Sequence, residues 1–197
     1  MTSDNRTETR REIWDHRYAA RVHPAEPALV LTEALHLLPR AGDALDAACG
    51  VGGNALKLAE IGLRTSAWDL SPVAIERVRT EAKWRGLGVD ARVRDIVADP
   101  PSPRSFDVVC VAYFLDRTLA AALAAALRPD GLLLYQTFSR EAVTDRGPSN
   151  PEFRLVPNEL LRLFPGLIVR AYRDEGCTGD TCRGTRDIAF LIAQASR

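Results

Sequence analysis

The residues whose types and spacing could do chemistry are three acids, Asp46, Asp69 and Asp95, each at the end of a short apolar run, and a glycine turn just after the first. The stretch "ALDAACGVGGNALKLAEIG", residues 44–62, reads as a strand, a tight loop and a helix. Small residues let a backbone approach a ligand closely, and the free amides of a helix start favour negative groups. That layout suits a nucleotide-type cofactor. Two such cofactors compete for it, a nicotinamide dinucleotide and S-adenosylmethionine (SAM). Gly50-Val51-Gly52-Gly53-Asn54-Ala55 satisfies the dinucleotide spacing G-x-G-x-x-G/A, so the loop by itself does not decide.

The acids separate the two. Asp46 ends the first strand just ahead of the glycines, where it would repel a pyrophosphate. SAM presents an ammonium and a sulfonium beside a carboxylate, so an acid next to free amides can serve both signs. Asp69, at the end of the second strand, can accept hydrogen bonds from ribose hydroxyls in either case. Asp95 ends the third strand, where an acid can meet an adenine amino group. The 197 residues leave no room for the second catalytic domain that most nicotinamide oxidoreductases use. These features favour SAM.

The elements that must position these residues alternate. Strands are expected at 44–48, 64–69, 90–94, 106–112, 132–137, 167–174 and 187–194, with helical patterns between most of them. Ser71-Pro72 supplies a helix N-cap and first position, Gly86 its far end, and Ala74, Ile75, Val78 and Ala82 share one face. "RPDG" at 128–131 is expected to stop the alanine-leucine helix at 119–127 and turn the chain into the next strand. "PNELLRLFPG" is a short helix with Leu160, Leu161 and Phe164 on one side. The last two apolar runs have no helix between them, so they must pair as an antiparallel hairpin. The expected fold is α/β: a Rossmann-like, mostly parallel seven-stranded sheet with a C-terminal antiparallel hairpin and helices on both faces. Residues 1–40 are expected as an N-terminal helical cap segment, and 41–197 as the main domain.

Composition narrows the partners. Lysine plus arginine and aspartate plus glutamate both number 26, so no overall field favours nucleic acid or a membrane. The polar N-terminus "MTSDNRTETRREIW" lacks the apolar core of a secretory signal, and "LAAALAAAL" is too short to span a bilayer. A cytoplasmic protein is expected. Cys177 and Cys182 bracket "TGDT", which matches no standard zinc spacing, and His16, His23 and His36 lie near the other end. No metal is expected.

The sum of "ALDAACGVGGNALKLAEIG", "AWDLSPVAIERV", "VRDIVADPPSPRSFDVVCVAYFLDR" and "LAAALRPDGLLLYQTF" resembles the class I SAM-dependent methyltransferases, over about residues 40–140. "WDHRY", "GNALKLA" and "LYQTF" resemble the small-molecule branch, especially the tellurite-resistance type. The resemblance implies that Asp46, Gly50 and Gly52 surround the methionine part of SAM, with Ala48, Cys49 and Asn54 in the same loop. It puts Asp69 and Leu70 at the ribose, Asp95 and Ile96 at the adenine, and Ala112 and Tyr113 on the far side of the cofactor. Two positions depart from the pattern. Ala48 stands where many relatives carry the loop's first glycine, and Gly53 where the tellurite-resistance branch often carries arginine. "DPP" at 99–101 precedes the fourth strand, whereas the D-P-P-Y element of amino-group methyltransferases follows it. It reads as a proline-stiffened loop.

Methyl transfer is an in-line displacement, so alignment and exclusion of water are the protein's main tasks. A thiolate, selenolate or reduced tellurium species needs little help from a base; a phenol or amine needs one nearby. No convincing base is legible, and His16 reads as a surface histidine. Acceptor-side candidates come from three segments. Trp14, Arg17 and Tyr18 share a helical face, and form either a lid over the methyl group or a helix packed on the core. Tyr113, Phe114, Asp116 and Arg117 follow the fourth strand. The polar stretch 139–157, with Arg140 and Arg154, forms either a substrate-capping loop or a solvated excursion. The catalytic expectation rests on Tyr113, Arg117, Arg17 and Tyr18. The leading reading is methylation of a small-molecule acceptor, a thiol or a selenium or tellurium species among them. The alternatives are methylation of a macromolecule and a non-catalytic SAM-binding sensor.

Overall fold

The computed structural model describes residues 3–20 and 26–197; His23 lies outside them. Seven strands form one sheet: β1 (Asp43–Ala47), β2 (Arg64–Asp69), β3 (Val89–Val93), β4 (Phe106–Ala112), β5 (Leu127–Phe138), β6 (Ile168–Asp174) and β7 (Ile188–Gln194), in the order β3-β2-β1-β4-β5-β7-β6. The first five pair in parallel, and β7 runs antiparallel to both β5 and β6. The C-terminal hairpin is therefore present, and it inserts its second strand next to β5. Every parallel strand brings its C-terminal end to the same edge of the sheet, where an open α/β sheet binds ligands.

Alternation along the strands assigns two faces. Leu45, Val109, Leu133 and Leu191 pack with α5 (Ala120–Ala125) and α6 (Glu159–Leu163). Ala44, Val108, Leu134 and Ile192 pack on the other side with α2 (Leu29–Ala34) and with Leu58 of α3 (Gly53–Glu60). On that side α4 (Pro72–Arg85) buries Ile75 and Val78 against Ala67 and Ala91. The Ser71 hydroxyl accepts the Ala74 amide at 3.1 Å and Gly86 closes α4 in a left-handed conformation, as the sequence indicated. An N-terminal helix, α1 (Ser3–Ala19), packs Trp14 and Tyr18 on Val51 and Ala74.

Two expectations change. The alanine-leucine helix is shorter than 119–127, spanning Ala120–Ala125 after a 3-10 turn at Arg117–Leu119. "RPDG" lies inside β5 as an irregularity: the register passes from Phe106↔Leu127 to Val108↔Leu132. Arg128 pins it, donating to Asp43 at 2.7 Å and Asp107 at 2.6 Å. The crossover from β3 to β4 carries no helix. In its place Arg94 lies 3.9 Å over the Trp68 ring, and Phe106 meets that ring edge-on at 5.7 Å.

Candidate active site

The loop after β1 takes a left-handed conformation at every second residue: φ is 55° at Ala48, 53° at Gly50 and 85° at Gly52. The two glycines are required twice over. A Cβ at Gly52 would stand 2.7 Å from the Val78 side chain, and one at Gly50 would stand 3.1 Å from the Tyr18 hydroxyl oxygen. Ala48 adopts a left-handed conformation that glycine takes without strain, and carries the strain of doing so. The loop is held from the neighbouring strand. Cys49 donates its amide to the Trp68 carbonyl at 3.0 Å, and Gly50 donates its own to Asp69 Oδ2 at 2.8 Å.

The acids sit where the sequence put them, at three adjacent strand ends. Asp69 is buried; its other oxygen accepts the Ser71 amide at 2.9 Å. Burial raises its pKa despite these amides. Asp95 accepts the Val97 amide at 3.0 Å and the Thr7 hydroxyl at 3.3 Å. Asp46 lies deeper. Its carboxylate has no exposed surface and accepts the Ala55 amide at 2.9 Å, with the Asn54 amide nitrogen at 3.5 Å. Desolvation carries its pKa to about 7, and the nearby Asp69 charge adds to the rise. Asp46 thus acts on a ligand through its field and through the start of α3, rather than by surrounding the methionine part directly.

Cys49 and Asn54 are also used from below. The Cys49 thiol packs among Ala55, Ala67 and Ile75, and Asn54 Oδ1 accepts the Ala28 amide at 2.8 Å. Ile96 is buried with Trp68 and Phe106, while Leu70 and Ala112 are half-buried. Among the described residues no lysine or arginine forms an ion pair with Asp46, Asp69 or Asp95. A glycine cradle with uncompensated carboxylates, Asp46 sealed beneath the loop and Asp69 and Asp95 beside it, fits a cationic cofactor such as SAM, and is the wrong sign for a pyrophosphate.

The N-terminal helix lies across this cradle. Tyr18 is buried against Gly50, Thr7 reaches Asp95, and Asp15 accepts a hydrogen bond from the Ser71 hydroxyl. Trp14 stacks on Tyr18 at 5.6 Å. Trp14 and Tyr18 thus pack on the core, the second of the two expected readings. Arg17 differs: it is exposed, lying over Trp14 at 4.9 Å, and the structure does not bring it to the cradle. His16 is exposed as well.

Beyond β4 the chain makes a second strained step. Tyr113 has φ 58°, a genuine outlier for a bulky side chain, and is 40% exposed. Its ring lies 5.1 Å from that of Phe138, at the end of β5. Arg146 Nη2 approaches the Tyr113 hydroxyl at 3.4 Å. Arg117 does not join this group. Its guanidinium donates to Glu159 at 2.6 Å and to the Glu152 and Arg154 carbonyls, so it ties β4's exit to α6 and reads as structural. Arg154 is nearly buried and donates to the carbonyls of Pro148, Ser139 and Arg146 at 2.8, 2.9 and 2.7 Å. Asp187 holds the same loop, accepting the Val143 and Thr144 amides and the Thr144 hydroxyl.

The sequence reading missed Phe138 and Asp187, and in the stretch 139–157 it singled out Arg140 and Arg154 rather than Arg146; only the packing of the hairpin and loop brings the three together. Cys177 and Cys182 are exposed, and among the described residues no group of His, Cys, Asp and Glu could hold a metal. No described helix is long and apolar enough to cross a membrane.

The fold and part of the sequence are shared with known proteins. Residues 44–131 match the family described as methyltransferase domain. A ubiquinone biosynthesis O-methyltransferase from Methylocella silvestris is 28% identical, the match covering 78% of this chain and 70% of that protein. One from Xanthomonas euvesicatoria is 32% identical, with 49% of this chain and 43% of that protein covered; this chain thus matches under half the length of that relative. Among solved structures, one concerned with conversion of a disulfide bond into a thioacetal group during echinomycin biosynthesis aligns with TM-score 0.71 at 24% identity, covering 95% of this chain and 92% of that one. TehB from Haemophilus influenzae aligns with TM-score 0.67 at 19% identity, covering 94% and 67%. Fold and glycine-acid cradle define an enzyme of the methyltransferase class. Residues 44–131 form a methyltransferase domain, and its cofactor is SAM.

Proposed function

We propose that this enzyme methylates a hydroxyl group of a small molecule resting on Tyr113 and Phe138, beside the cradle formed by Gly50, Gly52, Asp69 and Asp95. The observation that carries it is the set of three unpaired acids on consecutive strand ends around a left-handed glycine loop. Bound SAM supplies a methyl group on a sulfonium, already attached to a good leaving group. The chain's part is to hold and enclose. Asp69 takes the ribose hydroxyls while keeping Gly50 in place, Leu70 flanks them, and Asp95 with Ile96 receives the adenine. Ala48 and Gly50 bring backbone against the methionine part, Ala112 and Tyr113 close the far side, and Tyr18 with Trp14 excludes water from above.

The curated relatives named for O-methylation favour oxygen as the accepting atom over sulfur, selenium or tellurium. An oxygen acceptor gives up its proton to water as the O–CH3 bond forms and the S–CH3 bond breaks, and the Tyr113 hydroxyl is the polar group at hand to orient the accepting oxygen by a hydrogen bond. The balanced charge of the chain supports a small molecule over a nucleic acid. Calorimetry with SAM, S-adenosylhomocysteine and NADH, repeated on Asp69→Ala, tests the cradle. Micromolar SAM binding lost in the variant supports the assignment, and NADH binding with SAM silent overturns it. S-adenosylhomocysteine release with catechol against thiophenol then tests the accepting atom; turnover of thiophenol alone sinks the oxygen reading.

A further inference from the structure

Four guanidinium groups surround the exit of the sheet, Arg117 after β4 and Arg140, Arg146 and Arg154 in the loop after β5, and three of the four are occupied. Arg117 is paired with Glu159, Arg140 donates to the Pro151 carbonyl and pairs with Glu152, and Arg154 is fastened to three carbonyls. Arg146 differs. Its backbone is fixed on both sides, the amide donating to the Thr144 hydroxyl at 3.2 Å and the carbonyl accepting from Arg154 at 2.7 Å. Its side chain is exposed and forms no ion pair among the described residues. It lies 5.8 Å over the Tyr113 ring and 6.0 Å over the Phe138 ring, with one long hydrogen bond of 3.4 Å to the tyrosine hydroxyl. Distances at the outer edge of such contacts aim a guanidinium without using up its five donors.

The approach of this loop to the shelf is built into the backbone. Gly147, at φ 100°, presses on Phe138 so closely that a Cβ would stand 2.6 Å from the ring. Asp187, the acid whose field reaches Arg146, already has both oxygens engaged by Val143 and Thr144. A guanidinium carried on a fixed backbone beside two aromatic rings, lacking a carboxylate of its own, is a receptor for a planar anion.

We propose that the acceptor is an aromatic compound carrying a carboxylate, with its ring on Tyr113 and Phe138 and its carboxylate on Arg146. This rests on the reading of Tyr113 and Phe138 as the acceptor shelf and adds the substrate class. Arg146 is then a specificity-determining residue.

The probes are benzoate, benzyl alcohol and acetate, titrated calorimetrically into the full chain saturated with S-adenosylhomocysteine. Benzoate is expected to bind at least tenfold more tightly than benzyl alcohol and than acetate. Arg146→Met is expected to abolish the first preference with S-adenosylhomocysteine affinity unchanged, and Arg146→Lys to restore only part of it. Equal binding of benzoate and benzyl alcohol, or a preference that survives in Arg146→Met, overturns the inference. Acetate matching benzoate overturns it too, since the rings then contribute nothing. Failure to bind S-adenosylhomocysteine sinks the methyltransferase cradle itself, and so is told apart from failure of the anion site.

Discussion

Asp69, the last residue of β2, accepts the amide hydrogen of Gly50, in the loop after β1, at 2.8 Å. One carboxylate thus shapes the loop, and it is also the group proposed to take the ribose hydroxyls. Replacing it has two separable effects. Asp69→Ala leaves the buried Gly50 and Ser71 amides without acceptors, at about 1–3 kcal/mol each. Asp69→Asn keeps an acceptor for one amide but turns an NH2 group toward the other. SAM affinity is expected to fall at least tenfold in both variants, with the larger loss of thermal stability in the alanine variant. Calorimetry and a melting curve on each separate ligand contact from loop support; unchanged SAM affinity in both would remove Asp69 from the ribose site.

Ala48 is strained where a glycine would not be. A left-handed alanine costs about 1–2 kcal/mol, and glycine's greater freedom in the unfolded chain returns roughly 0.5–1 kcal/mol of that. Ala48→Gly is therefore expected to stabilise the protein by about 0.5–1 kcal/mol, or roughly 1–4 °C in melting temperature for a chain of this length. Urea denaturation checks it. A destabilised variant would show that the loop's φ of 55° at this residue is not its resting conformation in solution.

The cradle was legible because its residues are placed by local rules. A strand end fixes each acid, small residues fix the loop, and Ser71-Pro72 fixes the start of α4. The hairpin was legible from two apolar runs with nothing helical between them. The acceptor side was not, because its contacts join distant segments. Arg117 looked free at the exit of β4, but its partner Glu159 lies 42 residues on. Arg146 and Asp187 gain meaning only when the hairpin packs beside the loop. "RPDG" looked like a stop, and became part of β5 because Arg128 found carboxylates on β1 and β4. Asp46 was placed correctly along the chain, but no sequence rule shows that its carboxylate is sealed beneath the loop.

That burial makes Asp46 a source of pH dependence with two opposite signs. Its folded pKa of about 7 lies above the unfolded value of 3.8, so the ligand-free fold holds a proton that the unfolded chain releases. Stability from this group is full below about pH 4 and declines as pH rises to about 7. A cationic cofactor favours the ionised carboxylate, so SAM affinity is expected to rise over the approach to neutrality. Melting temperature without ligand and SAM binding should therefore move in opposite directions between pH 5 and pH 8. Asp46→Asn, which can still accept the Ala55 amide, should flatten both trends. Parallel trends in the two measurements would show that Asp46 does not sense the cofactor.

Arg154 tests whether the acceptor loop is a fixed structure. Its planar fork meets three carbonyls, those of Pro148, Ser139 and Arg146, and the last of these fixes the backbone of the residue that overlooks Tyr113. A lysine keeps the charge but concentrates its donors at one point, and cannot span the same three acceptors. Losing two of these bonds in a nearly buried setting costs about 3–6 kcal/mol, from the range for hydrogen bonds to charged groups. Arg154→Lys is expected to lower stability by about that amount. SAM affinity should stay within twofold, because the cradle at β1, β2 and β3 is held by other contacts. The acceptor's KM should rise severalfold, as Arg146 loses its fixed position. Calorimetry with SAM and initial rates against acceptor concentration give the two readouts. Equal losses in both would mean that the loop supports the whole sheet edge; a loss confined to the acceptor makes it a dedicated wall of the second subsite.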